Sequence, residues 1–375
     1  MYIEPFGVEM WMNEWETRCK WNLAETCVES ITIQELLSLS GQDRSALEAL
    51  LPLKMTYGAI EGSDRLRQAV CSLYKKQKTE NILITHGTIG ANMLVHKTLV
   101  SRGDQVVAVV PTYQQHYSIP ASIGAEVKAL RLREENRFLP DLDELRSLVS
   151  SDTGMIAINN PNNPTGAILS DEMLEETVEI ARAADAWILC DEVYRGTCQE
   201  GDGMSISIAD LYEKGISTAS TSKAFSLAGL RLGWIAAPAS LIEQICHHRD
   251  YDTISVSMID DHFATIALEA KDQLLERSRN ITRNNLKVLE HWVESEPLIS
   301  WVKPEAGTTA LLKYDLDMSS RDFCVDLLAK TGVMFTPGSA LDMEGYVRIG
   351  YANNPNVLKE GLQRVSDYLG SYTTE

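Results

Sequence analysis

The chain lacks any apolar run approaching the roughly 18 residues that span a bilayer, so no membrane crossing is expected. It is short of basic residues: 34 Lys and Arg stand against 53 Asp and Glu, giving a net charge of −19 and a pI near 4.8. A surface of that sign repels a phosphate backbone, which argues against a nucleic-acid partner. The acids are scattered rather than gathered in a tail, so most of them read as solvating charge. No Cys-x-x-Cys and no His-x-x-x-His spacing occurs, which leaves the seven cysteines as reduced thiols and points to no metal. There is no Gly-x-Gly-x-x-Gly run, so a dinucleotide fingerprint is missing. The first residues carry Glu4 and Glu9 where an export signal needs a basic start and an apolar core. A cytoplasmic protein is expected.

What is present is long and ordinary in composition: 375 residues, 44% hydrophobic and 23% charged, enough for one large and one smaller domain. From about residue 80, apolar runs at 82–85, 106–110, 155–158 and 187–190 alternate with helical patterns such as 173–184. Alternation of this kind predicts an α/β fold, a mostly parallel sheet covered on both faces in three layers. After about residue 280 the pattern changes to short strands near 300–302, 309–313 and 347–350 with helices between, which predicts a smaller α+β domain. The expected division is an N-terminal segment 1–40 belonging to the small domain and forming a lid, a large domain 41–280, and a C-terminal small domain 281–375. The N-terminal segment holds Trp11, Trp15 and Trp21 among acids.

Turn residues follow the apolar runs directly, at Gly87, Pro111, 160–166 and 191–196, which is where the sites of such sheets gather. The segment 220–234, Ser-Thr-Ser-Lys-Ala-Phe-Ser-Leu-Ala-Gly-Leu-Arg-Leu-Gly-Trp, sets Lys223 among Ser220, Ser222 and Arg231. An amine that can form a Schiff base, beside two hydroxyls and a guanidinium that can hold an anion, suits a small molecule carrying both an aldehyde and a phosphate. Pyridoxal 5′-phosphate (PLP) is such a molecule. Asp191, at the end of the run 187–190, either caps a helix or holds a pyridine nitrogen protonated. Gly87-Thr-Ile-Gly90 opens a helix, whose backbone N–H groups with Thr88 and Ile89 can cradle a phosphate. Arg348, alone in an apolar strand, needs an anion, either an internal carboxylate or a bound one.

Together these landmarks resemble those of the class I/II aminotransferases, the fold type I PLP enzymes of the aspartate aminotransferase superfamily. The segment around Lys223 is similar to that family's Schiff-base lysine motif, and Asp191-Glu-Val-Tyr194 and Asn160-Pro-Asn-Asn-Pro-Thr-Gly166 to two further signatures. The resemblance implies that Lys223 is anchor and base, that Asp191 partners the pyridine nitrogen, and that Asn163 and Tyr194 flank the ring's phenolic oxygen. It further implies that Tyr113 stacks on the ring and that Arg348 holds the substrate's α-carboxylate. Tyr57 would reach the cofactor phosphate of a neighbouring subunit, making the active unit a homodimer.

The implied activity is transamination of an L-amino acid. The motifs leave a second outcome open, a lyase or cyclase reaction by elimination, replacement or ring closure. Two acidic regions bear on that choice: Glu4, Glu9, Glu14 and Glu16 near the N-terminus, and Asp250, Asp252, Asp260 and Asp261. Either they are solvated, or they line a pocket for a cationic side chain such as hydroxylated arginine, with Glu9 facing the substrate. Guanidino-amino-acid cyclases of the capreomycidine synthase kind are similar in motif set.

Overall fold

The computed structural model describes residues 2–373. In chain order the strands are β1 (Trp21–Asn22), β2 (Ile82–Thr85), β3 (Gln105–Val110), β4 (Glu126–Arg131), β5 (Thr153–Asn159), β6 (Trp187–Asp191), β7 (Gly215–Ser220), β8 (Gly233–Ala236), β9 (Ile299–Trp301), β10 (Thr309–Tyr314), β11 (Val333–Met334), β12 (Thr336–Pro337) and β13 (Tyr346–Gly350). Seven of them form one sheet in the order β2-β8-β7-β6-β5-β3-β4. All its pairings are parallel except the two made by β8, which runs antiparallel to β2 and β7. The interior strands β3, β5 and β6 are built round the apolar runs Val-Val-Ala-Val-Val, Met-Ile-Ala-Ile and Trp-Ile-Leu-Cys, as a sheet buried on both faces requires. Helices cover both faces, with one core centred on Val107, Ile156 and Ile188 and another on Leu83, Leu189 and Ile235.

One strand is written in a different alphabet. β7 is Gly-Ile-Ser-Thr-Ala-Ser and fully buried. Its hydroxyls are accommodated by side-chain hydrogen bonds: Thr218 Oγ1 donates to Asn92 Oδ1 at 2.6 Å, and Ser217 Oγ donates to Glu192 Oε2 at 2.8 Å.

The second unit is a four-stranded antiparallel sheet, β12-β13-β10-β9, with β1 pairing parallel to β11 beside it. Its core joins Trp11, Trp21 and Leu23 from the N-terminal segment to Phe323, Phe335 and Tyr351. Leu36 and Leu37 pack instead in the core under β2 and β8, on the large-sheet side of the boundary expected at residue 40. Residue 280 lies inside the continuous helix Lys271–Ser295, which runs from one core to the other. No helix among the described residues is long and apolar enough to cross a membrane.

Candidate active site

Three parallel strands end side by side and deliver the chemistry. The register pairs Asn159 of β5 with Asp191 of β6, and Asp191 with Thr218 of β7. Asp191 therefore sits at the carboxyl edge, Asn163 four residues past β5, and Lys223 three past β7. The antiparallel strand β8 completes the edge, because Gly233 pairs with both Ser220 and Thr85. That one register brings Arg231, Ser220, Ser222 and the start of the helix Gly87–Leu99 to the same corner. Gly233 allows the approach: a Cβ there would meet the Gly87 carbonyl carbon at 2.4 Å and the Thr88 nitrogen at 2.7 Å. Gly87 itself has φ +67°, a backbone conformation that favours glycine.

These residues line a cavity of about 280 Å³ between the large sheet and the second unit. Thr88, Ile89, Tyr113 and Asn163 face it, as do Asp191, Tyr194, Ser220, Ser222, Lys223 and Arg231. Arg348 enters from β13 and Glu9 from the N-terminal helix Gly7–Trp15. Gly87 adjoins the corner through its backbone. Tyr57 does not line this cavity; its side chain is 75% exposed. Asp250, Asp252, Asp260 and Asp261 also lie outside it. Asp261 instead accepts from the Ser63 amide at 2.8 Å and hydroxyl at 2.6 Å.

Lys223 Nζ donates to Thr26 Oγ1 at 2.6 Å and to Cys27 Sγ at 3.3 Å, with the Glu25 carboxylate at 3.9 Å. Burial alone would lower its pKa; Cys27, Tyr194 and Glu25 outweigh that and hold it above the ordinary lysine value. Burial pushes the Cys27 thiol up to about 11. The Glu25 carboxylate also accepts from the Thr26 and Cys27 amides at 2.7 and 2.8 Å. Burial raises its pKa, but Lys223 and the Cys27 contacts dominate and hold it below the usual carboxylate value.

Asp191 is 4% exposed and held from several sides. Asn92 Nδ2 donates to its Oδ2 at 2.9 Å, the Val193 amide donates to Oδ1 at 3.1 Å, and His116 Nε2 lies 3.7 Å from Oδ2. Tyr113 donates to Glu9 Oε1 at 2.8 Å. Burial, followed by Glu9, raises the phenol's pKa and keeps it neutral.

Arg348 is 2% exposed, and its hydrogen bonds go to neutral acceptors: Asn163 Oδ1 at 3.3 Å, the Ala24 carbonyl at 3.1 Å and Thr336 Oγ1 at 3.1 Å. Its Nε is buried without a partner, and burial works against its charge. Among the described residues no carboxylate reaches ion-pair distance of Arg348, which leaves the internal salt bridge unsupported. A buried fork without an anion is built for one that arrives.

Sequence reasoning gave no role to Asn92, Thr26 and Glu25, which line the cavity together with Glu16, one of the N-terminal acids that could have been solvated instead. Two were signalled by helical spacing. Asn92 follows Thr88 by four residues, and Glu16 follows Glu9 by seven. Nothing comparable marks Thr26 and Glu25, which stand in an irregular segment.

The corner fits PLP on the structure's own terms. Thr88 Oγ1 is buried without a partner, and Arg231 has no ion pair among the described residues, so both are free for a phosphate. A mostly parallel sheet with this edge and a lysine facing a buried aspartate defines a fold type I PLP enzyme. The chain belongs to the class I and II aminotransferases, whose family pattern matches residues 49–365. Among solved structures it is similar to a PLP-dependent aminotransferase from Streptococcus suis, with 42% identity, 99% of each chain covered and a TM-score of 0.96. It is also similar to a PLP-dependent cyclase, at 25% identity and TM-score 0.91 over 99% of this chain and 98% of that one. Capreomycidine synthase from Streptomyces vinaceus is 31% identical over 97% of this chain and 94% of its own length.

Proposed function

We propose that this protein is a PLP-dependent aminotransferase acting on an L-amino acid, with Lys223 as anchor and proton carrier. The observation that carries the reading is the buried Arg348, which lacks an anion and opens onto the cavity that also holds Lys223. Bound there, PLP supplies an electron sink for negative charge developing at the substrate's α carbon. The chain's residues do the rest. Arg348 grips the α-carboxylate and sets the orientation of the α carbon. The Lys223 amine, once unprotonated, takes the α-proton and can return it nearby. Asp191 presents a carboxylate fixed by Asn92 and the Val193 amide to the ring nitrogen. Thr88, Ser220, Ser222 and Arg231 take the phosphate, and Tyr113 covers the ring.

We assign the second unit, including the N-terminal segment, to a small domain that closes this cavity. The exposure of Tyr57, outside the chain's own cavity, supports a homodimer in which Tyr57 serves the neighbouring site.

A second reading, a lyase or cyclase reaction, is favoured by the likeness to the cyclase and to capreomycidine synthase over nearly the whole chain. The two separate in one experiment: single-turnover incubation of the holoenzyme with a panel of L-amino acids and no amino acceptor. Transamination yields a keto acid and the aminated cofactor in equal amounts. A dehydrated or cyclised product with the cofactor unchanged would overturn it in favour of the second reading.

A further inference from the structure

The N-terminal helix lays one stripe over the cavity: Val8, Glu9, Met12 and Glu16, at the three- to four-residue spacing of a single face. Its placement is fixed at several points. Trp11 Nε1 donates to the Phe335 carbonyl at 2.8 Å, the Gly7 amide donates to Gln114 Oε1 at 2.8 Å, and Gln114 Nε2 donates to the Pro5 carbonyl at 3.0 Å. The two carboxylates on this stripe are thus held over the site, about 10 Å apart along the axis by helix rise. One Glu9 oxygen is occupied by Tyr113 and the other is free; neither Glu9 nor Glu16 has a cationic ion-pair partner among the described residues.

An acidic stripe on a surface helix would mean little. Here it faces the same cavity as Arg348, whose Nε is buried and unpartnered. The cavity therefore holds a buried cation without an ion-paired carboxylate and two carboxylates without an ion-paired cation; Glu9 acts on Arg348, and Lys223 on Glu16, only beyond contact distance. The remaining charged lining groups are committed, Lys223 to Glu25, Asp191 to Asn92 and Arg231 to the phosphate corner.

We propose that Glu9 and Glu16 form the side-chain subsite of this enzyme and select an amino acid with a cationic side chain, a guanidinium or an ammonium. This rests on the assignment of Arg348 to the α-carboxylate. The substrate lies with its carboxylate on β13 and its cationic end under the N-terminal helix. Glu9 offers its free oxygen and Glu16 its unpaired group at the rim. Neutral isosteres leave both carboxylates unanswered, and dicarboxylic amino acids meet like charge. The burial of Glu16 and its repulsion by Glu25 and Glu9 raise its pKa, as expected of an acid waiting for a counter-charge.

The test is a titration of the PLP-loaded enzyme with L-arginine, L-lysine, L-citrulline and L-aspartate, following the cofactor's absorption to obtain dissociation constants. Arginine or lysine should bind at least about tenfold tighter than the neutral citrulline, and aspartate weakest of all. The arginine and lysine arms distinguish a planar from a point cation. Glu16→Gln, and separately Glu9→Gln, should narrow the arginine-to-citrulline ratio. Equal affinities for arginine and citrulline, or a ratio untouched by both substitutions, would overturn the proposal. If amino acids shift the spectrum without preference for a cation, only this inference fails. If no amino acid shifts it, the assignment of the site fails as well.

Discussion

Lys223 is governed at short range by neighbours that sequence spacing does not bring together. Its nearest anion, Glu25, comes from the chain's first thirty residues, nearly two hundred positions away. The raised pKa of Lys223 means that the amine is protonated at neutral pH in the free protein, and the unprotonated form needed to capture an aldehyde grows as pH rises. Cofactor uptake by the apoprotein should therefore accelerate from neutral to alkaline pH. Glu25→Gln keeps an acceptor for the Thr26 and Cys27 amides but removes the charge, so uptake should be faster than wild type at neutral pH; rapid-mixing absorbance checks both. Arg348→Lys makes a second residue-scale test. A point cation cannot replace a bidentate fork, and the loss should amount to about 2–3 kcal/mol, roughly 30- to 150-fold in kcat/KM. An unaltered kcat/KM would remove Arg348 from substrate binding.

At the scale of elements, legibility followed hydrophobic pattern. The strands β2, β3, β5 and β6 each carry a short run of apolar residues, and the turns after them were visible as Gly, Pro and Asn. β7 and β8 were not, because Gly-Ile-Ser-Thr-Ala-Ser reads as a loop until Asn92 and Glu192 arrive from other elements to satisfy its hydroxyls. β4 lies at a sheet edge, with most of its residues partly or fully exposed, and gives no apolar run. The site was legible where a motif fixed it, as at Lys223 and Asp191, and illegible where tertiary approach did, as at Thr26 and Glu25. The acids at 250–261 can be read in sequence either as solvated charge or as pocket residues, and packing turns Asp261 to Ser63. The N-terminal helix carries its own prediction. Trp11 is 1% exposed and bonded to the Phe335 carbonyl. Trp11→Phe keeps most of the packing but leaves that carbonyl unpaired, at a cost of about 1–3 kcal/mol. Trp11→Ala adds a cavity and should cost about 3–5 kcal/mol. Denaturant unfolding gives the two values, and limited proteolysis should cut the N-terminal helix first in the alanine variant.

For the whole molecule, the exposed Tyr57 stands apart from the chain's own cavity. If Tyr57 serves a neighbour, one good site can be rebuilt from two damaged chains. Mixing inactive Lys223→Ala subunits with Tyr57→Phe subunits should give hybrid dimers in which the intact Lys223 of one chain meets the intact Tyr57 of the other. Cofactor affinity in that site should return to the wild-type value, and fluorescence titration of the re-associated mixture measures it. Additive behaviour of the two variants would instead place Tyr57 outside any active site.

The expectations about cofactor and substrate depend on one covalent assignment. Borohydride reduction of the PLP-loaded enzyme, followed by digestion and mass spectrometry, locates the lysine that carries the cofactor. The expected product is a phosphopyridoxyl group on Lys223 alone, absent from Lys223→Ala. Reduction that labels another lysine, or none, would contradict the account at its centre.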